Sequence, residues 1–328
     1  MSAIALQLRK WDGVGPIVVR WRAASESGMW AMLETRGFEE MAFTSRDGLV
    51  LYARRYGQSG NGTPPVLCLA GLTRNSRDFH DLATYLSGSA GGYHLVYALD
   101  SRGRGGSAYD RNWKNYAVPI EAGDALDFIA ANGLHGALIV GTSRGGLLAM
   151  VMAALQPAAI GAVVLNDIGP AIEHAGLRRI AGYVGRLPLP PSWEAATEAI
   201  ARYGRVAFPA VPETQWAEVA RQWFNEADGR PAPAYDPRLA NTLDVNVPPP
   251  TLWPQFGALS RVPVLVMRGA LSDLLSDATV AEMQRRHPRC EALVVPGQGH
   301  APLLKDSDSM AAVARFLAGA ASPGLAPG

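Results

Sequence analysis

Ser143 stands at the centre of Gly141-Thr142-Ser143-Arg144-Gly145, between the apolar run Ala137-Leu138-Ile139-Val140 and the apolar stretch Leu147-Leu148-Ala149-Met150-Val151. That setting places a serine on a strand-to-helix turn. Glycine two residues to either side is what such a cramped backbone requires, since a side chain there would collide with strand or helix. The hydroxyl is left exposed at the edge of a sheet, where it can attack a carbonyl carbon. A serine hydroxyl is a poor nucleophile at neutral pH, so this chemistry also needs a base and an acid that orients the base. With 35 glycines in the chain, the pentapeptide can arise by chance, and the partners have to decide its meaning.

The candidate base is His300 in Gly297-Gln298-Gly299-His300-Ala301-Pro302, directly after the strand-like run Ala292 to Val295. The other five histidines, His80, His94, His135, His174 and His287, have no such placement. For the acid, Asp273 follows the run Val262 to Met267, and Asp167 follows Ala162 to Leu165. Either could reach the histidine. Asp273 is preferred because an acid on the penultimate strand, in the order serine, acid, histidine, suits this architecture. Asp167 reads alternatively as a turn residue, and Asp277 as a solvated residue at a helix start. The oxyanion formed on attack requires preorganised backbone donors. These are assigned to the amide of Arg144, next to the nucleophile, and the amide of Leu72 in Ala70-Gly71-Leu72-Thr73-Arg74, where Gly71 allows close approach. The Arg144 side chain reads as a support for the turn. No His, Cys and carboxylate cluster has metal-ligand spacing, and the chemistry calls for no cofactor.

The elements that would position these residues are strand-like runs at Pro65 to Leu69, His94 to Leu99, Ala137 to Val140, Ala162 to Leu165, Val262 to Met267 and Ala292 to Val295. Most are nearly all apolar, as in strands buried on both faces of a parallel sheet. Amphipathic segments alternate with them, for example Ala122, Ala125, Leu126 and Ile129. The reading is an α/β fold. Ahead of it, Ala42 to Ser45, a turn at Arg46-Asp47-Gly48, and Leu49 to Tyr56 read as an antiparallel hairpin. Between about Gly169 and Ser260 no strong strand run occurs. Trp216, Val219, Ala220 and Trp223, and Ala196, Ile200 and Tyr203, instead mark helices of an insertion over the sheet, whose tryptophans read first as packing. The expected organisation is an arm at 1–37, a core at 38–168 and 261–320, a helical insertion at 169–260 and a disordered tail at 321–328.

Length and charge bound the partners. The chain has 328 residues, 48% of them hydrophobic, enough for one large core with an insertion. Thirty Lys and Arg against twenty-nine Asp and Glu give a formal net charge of +1 without a basic stripe, which argues against nucleic acid. The two cysteines, Cys68 and Cys290, imply no disulfide framework. No apolar run approaches the roughly 20 residues of a membrane span, and no signal pattern opens the chain, so a cytoplasmic location is the expectation.

From about Ala42 to Leu317 the chain resembles the α/β-hydrolase superfamily. The turn around Ser143, the loop Asp100-Ser101-Arg102-Gly103-Arg104-Gly105-Gly106-Ser107, the aspartate of Ser272-Asp273 and Gly299-His300 occur in that family's order. The resemblance implies an eight-stranded, mostly parallel sheet with a helical lid inserted after the sixth strand. Ala70-Gly71 departs from the His-Gly of many relatives. Since the donor there is a backbone amide, the change bears on loop support more than on chemistry. Serine at 143, where epoxide hydrolases and haloalkane dehalogenases have aspartate, disfavours their reactions. Carboxylic-ester hydrolysis of a small molecule is the leading expectation, followed by carbon-carbon cleavage of a diketone-type acid, then lactone, amide or peracid chemistry. A non-catalytic ligand-binding protein on the same scaffold would have no need of all three groups.

Overall fold

The computed structural model describes residues 18–20, 37–58, 62–186 and 188–321. Most of the 1–37 arm and residues 322–328 of the expected tail lie outside the described residues.

Nine strands form the main sheet: β1 (Val18–Arg20), β2 (Glu39–Thr44), β3 (Val50–Tyr56), β4 (Val66–Leu69), β5 (Val96–Leu99), β6 (Ala137–Thr142), β7 (Ile160–Asn166), β10 (Val264–Gly269) and β11 (Cys290–Val295). Their spatial order is β1-β2-β3-β5-β4-β6-β7-β10-β11. From β5 to β11 every neighbour is parallel, while β2 and β3 form the expected antiparallel hairpin and β3 joins β5 antiparallel. The eight strands from β2 onward are the sheet that the resemblance implies. The ninth, β1, comes from the arm and pairs antiparallel with β2, a strand too short to leave a periodic signal.

The apolar runs are buried on both faces because helices cover both. Along β4, Leu67 and Leu69 join one core with Phe128, Ile129 and Met150, whereas Val66 and Cys68 join the opposite core with Leu82, Leu86, Val313 and Leu317. This is the two-residue alternation of a strand expressed in a sheet with no wet face. The covering helices are α1 (His80–Ser87), α2 (Val118–Ala131), α3 (Arg144–Leu155), α8 (Asp277–Arg286) and α9 (Ser307–Ala321).

Between β7 and β10 the chain leaves the sheet to form the lid. It contains α4 (His174–Tyr183), α5 (Trp193–Ala207), α6 (Trp216–Trp223), a short hairpin β8 (Asn225–Ala227) and β9 (Arg230–Ala232), and α7 (Trp253–Gly257). The spacings read from the sequence give α5 and α6 their inner faces, and Ala196, Ile200, Trp216, Val219 and Ala220 form a small core of the lid's own. The two helices cross closely at Gly204, where a Cβ would meet the Trp216 ring. The hairpin was not anticipated, since three-residue strands carry little pattern. Among the described residues, no helix is long and apolar enough to cross a membrane.

Candidate active site

The turn between β6 and α3 holds Ser143 at φ 52°, ψ −117°, a backbone conformation that costs a non-glycine residue about 1–3 kcal/mol. The surrounding structure enforces it. A Cβ on Gly141 would lie 2.6 Å from the backbone of Gly145 and Gly146, and one on Gly145 would overlap the Leu69 carbonyl oxygen. Gly146, which the sequence reading passed over, is needed equally, because a Cβ there would overlap the Ile168 side chain. The Ser143 amide is tied to the Asn166 carbonyl at 2.9 Å.

The Ser143 hydroxyl donates to His300 Nε2 at 2.8 Å, and His300 Nδ1–H donates to Asp167 Oδ2 at 2.8 Å. The structure therefore brings together the expected serine and histidine with the alternative acid. Asp167 follows β7 directly and is fully buried, with φ 55°. Its carboxylate also accepts the Gly269 amide at 2.8 Å and the Ser272 hydroxyl at 2.6 Å. Three donors thus meet one carboxylate, an arrangement that holds the negative charge in place out of water.

The preference for Asp273 is corrected by this geometry. Its side chain instead makes a bidentate pair with Arg179 of α4 in the lid, at 2.6 and 2.7 Å. Arg179 holds the Asp273 carboxyl below its ordinary range, and the side chain is 38% exposed. The physical reason is strand adjacency: β7 and β10 are neighbours ending at one edge, so either loop can supply an acid beside the histidine. The left-handed backbone at Asp167 turns its carboxylate inward, while Ser272, one residue before Asp273, takes the supporting contact. Ser272 was not singled out in the sequence, and the dipeptide Ser272-Asp273 offered its aspartate as the more visible group. Asn166 was also missed. Its side chain donates to the Pro302 carbonyl at 2.9 Å and so fixes the segment that follows His300.

Around the serine, the loop after β4 runs close enough that a Cβ on Gly71 would lie 3.6 Å from Ser143 Cβ. Leu72 and Arg144 are each held by buried charge. Arg104 donates from Nε to the Leu72 carbonyl at 2.8 Å and from Nη1 to Glu121 at 2.5 Å, and Glu121 also accepts Arg144 Nε at 2.7 Å. Arg144 Nη2 reaches the Tyr116 carbonyl at 2.8 Å, so its side chain supports the turn as expected. One buried carboxylate thereby links the two residues whose amides are the candidate oxyanion donors. In the lid, Arg179 Nη1 donates to the Tyr203 hydroxyl at 3.1 Å, and Arg74, whose side chain lies beside Gly71, stacks 4.0 Å over the Trp223 ring while paired with Asp78. Gly299 lets the His300 segment pass beneath the lid, since a Cβ there would lie 2.8 Å from the Ala207 carbonyl.

Residues 66–316 match the alpha/beta hydrolase family. The chain belongs to that family. Among its relatives, the 3-hydroxybutyrate-oligomer hydrolase of Cupriavidus necator is 32% identical over 82% of this chain and 94% of its own. The 2-(acetamidomethylene)succinate hydrolase of Mesorhizobium japonicum is 28% identical over 74% and 83%. The crystal structure of an alpha/beta hydrolase from Novosphingobium aromaticivorans is 40% identical, covers 86% of this chain and 98% of its own, and superposes with a TM-score of 0.77. This α/β-hydrolase is thus a family enzyme whose sheet and lid place a serine, a histidine and a buried aspartate in contact.

Proposed function

We propose that this α/β-hydrolase cleaves carboxylic esters of small substrates through an acyl-enzyme on Ser143, with His300 as base and Asp167 as the acid that orients it. The observation that carries the reading is the continuous hydrogen-bonded line from the Ser143 hydroxyl through His300 to Asp167, 2.8 Å at each step. Attack of Ser143 Oγ on the acyl carbon transfers its proton to His300 Nε2. The buried Asp167 carboxylate stabilises the imidazolium so formed and keeps the Nδ1–H tautomer in place. The amides of Leu72 and Arg144 meet the oxyanion. Collapse of the tetrahedral intermediate expels the alcohol, which takes its proton from His300. Water, deprotonated by the same histidine, then releases the acid.

For the substrate, the relative named as a 3-hydroxybutyrate-oligomer hydrolase supports an ester of a short hydroxy acid. A second reading, hydrolysis of a different bond in an acidic substrate, is favoured by the relative named as a 2-(acetamidomethylene)succinate hydrolase. The two separate on a panel of 3-hydroxybutyrate oligomers, p-nitrophenyl esters, and an acetamidomethylene diacid. Turnover of the oligomers and simple esters by the wild type, and none by Ser143→Ala, is the expected outcome. Turnover of the diacid alone would move the assignment to the second reading.

A further inference from the structure

A hollow of about 430 Å³ lies between β3, the loop after β5 and the lid, and neither Ser143, His300 nor Asp167 lines it. Its walls include Arg54 of β3, Arg77, Gly106, Trp193, Arg221 and Phe224. Most of the charge around it is already matched. Arg221 pairs with Glu226 at 2.7 Å and stacks 3.7 Å over the Trp193 ring. Asp100, buried at one wall, accepts the amides of Ser76 at 2.5 Å and Gly106 at 2.7 Å, and Glu40 accepts the Tyr52 hydroxyl at 3.0 Å.

Arg54 and Arg77 differ from these groups. Neither guanidinium has a carboxylate partner within ion-pair distance among the described residues. Arg54 lies 4.0 Å over the Phe38 ring, and its Nε reaches the Tyr52 hydroxyl at 3.4 Å. Arg77 donates only to carbonyls, those of Gln222 at 3.1 Å and Phe224 at 3.2 Å, which fixes it at the end of α6. Burial pushes Arg77 below the ordinary arginine value; the nearby charges of Arg54 and Arg74 add to that shift, and the carboxylates of Asp100 and Asp78 oppose it without reaching ion-pair distance. Two like charges are held near each other, from different elements, beside open volume. Each arginine offers five N–H groups in a planar fork, so both retain donors beyond those their present partners use.

We propose that this hollow is an anion site, separate from the catalytic serine, that takes a phosphate or phosphomonoester group between Arg54 and Arg77. A tetrahedral dianion presents oxygens to two forks arriving from different walls, whereas one carboxylate presents a planar edge suited to a single fork. The hollow exceeds the size of a phosphate ion and leaves room along Trp193 and Phe224 for an organic remainder. Because Arg77 is bonded to the end of α6, an anion shared with Arg54 ties the lid to β3.

Thermal shift and calorimetric titration of the full chain test this site, with inorganic phosphate and glycerol 3-phosphate as probes and sodium chloride and acetate as controls at constant ionic strength. Saturable binding of phosphate, absent for the controls, is expected. Tighter binding of glycerol 3-phosphate than of phosphate would assign the site to phosphomonoesters, and equal or weaker binding to the free ion. Arg54→Met is expected to weaken phosphate by about tenfold or more, the scale of one lost charge-assisted bond, and Arg54→Lys to retain part of the affinity. Near-ultraviolet circular dichroism in phosphate-free buffer checks that each variant is folded. If Arg54→Met fails that check, Arg54→Gln replaces it. No saturable phosphate binding by the wild type, equal response to acetate, or unchanged affinity in a folded Arg54 variant overturns the proposal.

Discussion

Two aspartates stand within reach of one histidine, and their surroundings separate them. Asp167 is dry and receives an imidazole N–H, an amide and a hydroxyl; Asp273 is partly wet and already committed to a guanidinium. The sequence shows both residues after strands at the same edge, but not the backbone angle that turns one inward. Positive φ at a non-glycine residue has no dependable signature in residue type, which is why the sequence pointed to Asp273 rather than to the aspartate that bonds His300, while the juxtaposition of Ser143 and His300, flanked by the glycines their turns demand, was legible. The proposed roles predict that Asp167→Asn lowers kcat by about 10³–10⁴-fold, because the amide no longer fixes the required histidine tautomer. Asp273→Asn cuts the lid's link through Arg179 and acts mainly on KM, leaving kcat within about tenfold. Steady-state kinetics on one p-nitrophenyl ester compares them, and loss of kcat confined to the Asp273 variant would return the role to that residue.

Elements hold these side chains through close approaches that tolerate no added atom. The first turn of α3 packs on β4 at Gly145, where a methyl group would overlap the Leu69 carbonyl. Gly145→Ala must therefore shift the helix or the strand. Overpacking of that kind costs about 1–3 kcal/mol or more, and here it also displaces Ser143 from its histidine. Denaturant unfolding and ester turnover are both expected to fall, and a variant with wild-type values for both would show that the turn is looser than described. The lid is legible to a different degree. Its helices α5 and α6 follow from apolar spacing and bury the faces that spacing marks. The hairpin β8–β9 and the crossing at Gly204 depend on contacts between segments far apart in sequence, which periodicity does not report.

At the scale of the whole molecule, the alternation of apolar runs and amphipathic segments was sufficient to recover the parallel sheet, since strands covered on both faces have to be apolar throughout. The added edge strand β1 was not recoverable, because three residues paired to a neighbour leave no pattern. The loop carrying Arg102 is the hub of a charge network. Arg102, 1% exposed, makes bidentate bonds to Asp124 at 2.8 and 2.6 Å and reaches Asp110 and Asp47, each at 2.8 Å. It joins the β2–β3 turn, the loop after β5 and α2. Arg102→Met leaves buried carboxylates without their cation, a loss of about 3–5 kcal/mol that denaturant titration would register. The hydrogen bond to Arg102 holds Asp47 at about 2, below its unfolded value near 3.9. Its contribution is therefore present above about pH 4 and lost as pH falls toward 2, and Arg102→Met should flatten that part of the stability profile. The proposed chemistry depends on Ser143 being an activated nucleophile. Intact-mass analysis after treatment with a fluorophosphonate, followed by peptide mapping, tests it most directly. A single adduct on Ser143, formed in step with the loss of ester turnover and absent from Ser143→Ala, is the expected result; no adduct, or one on another residue with turnover abolished, would contradict it.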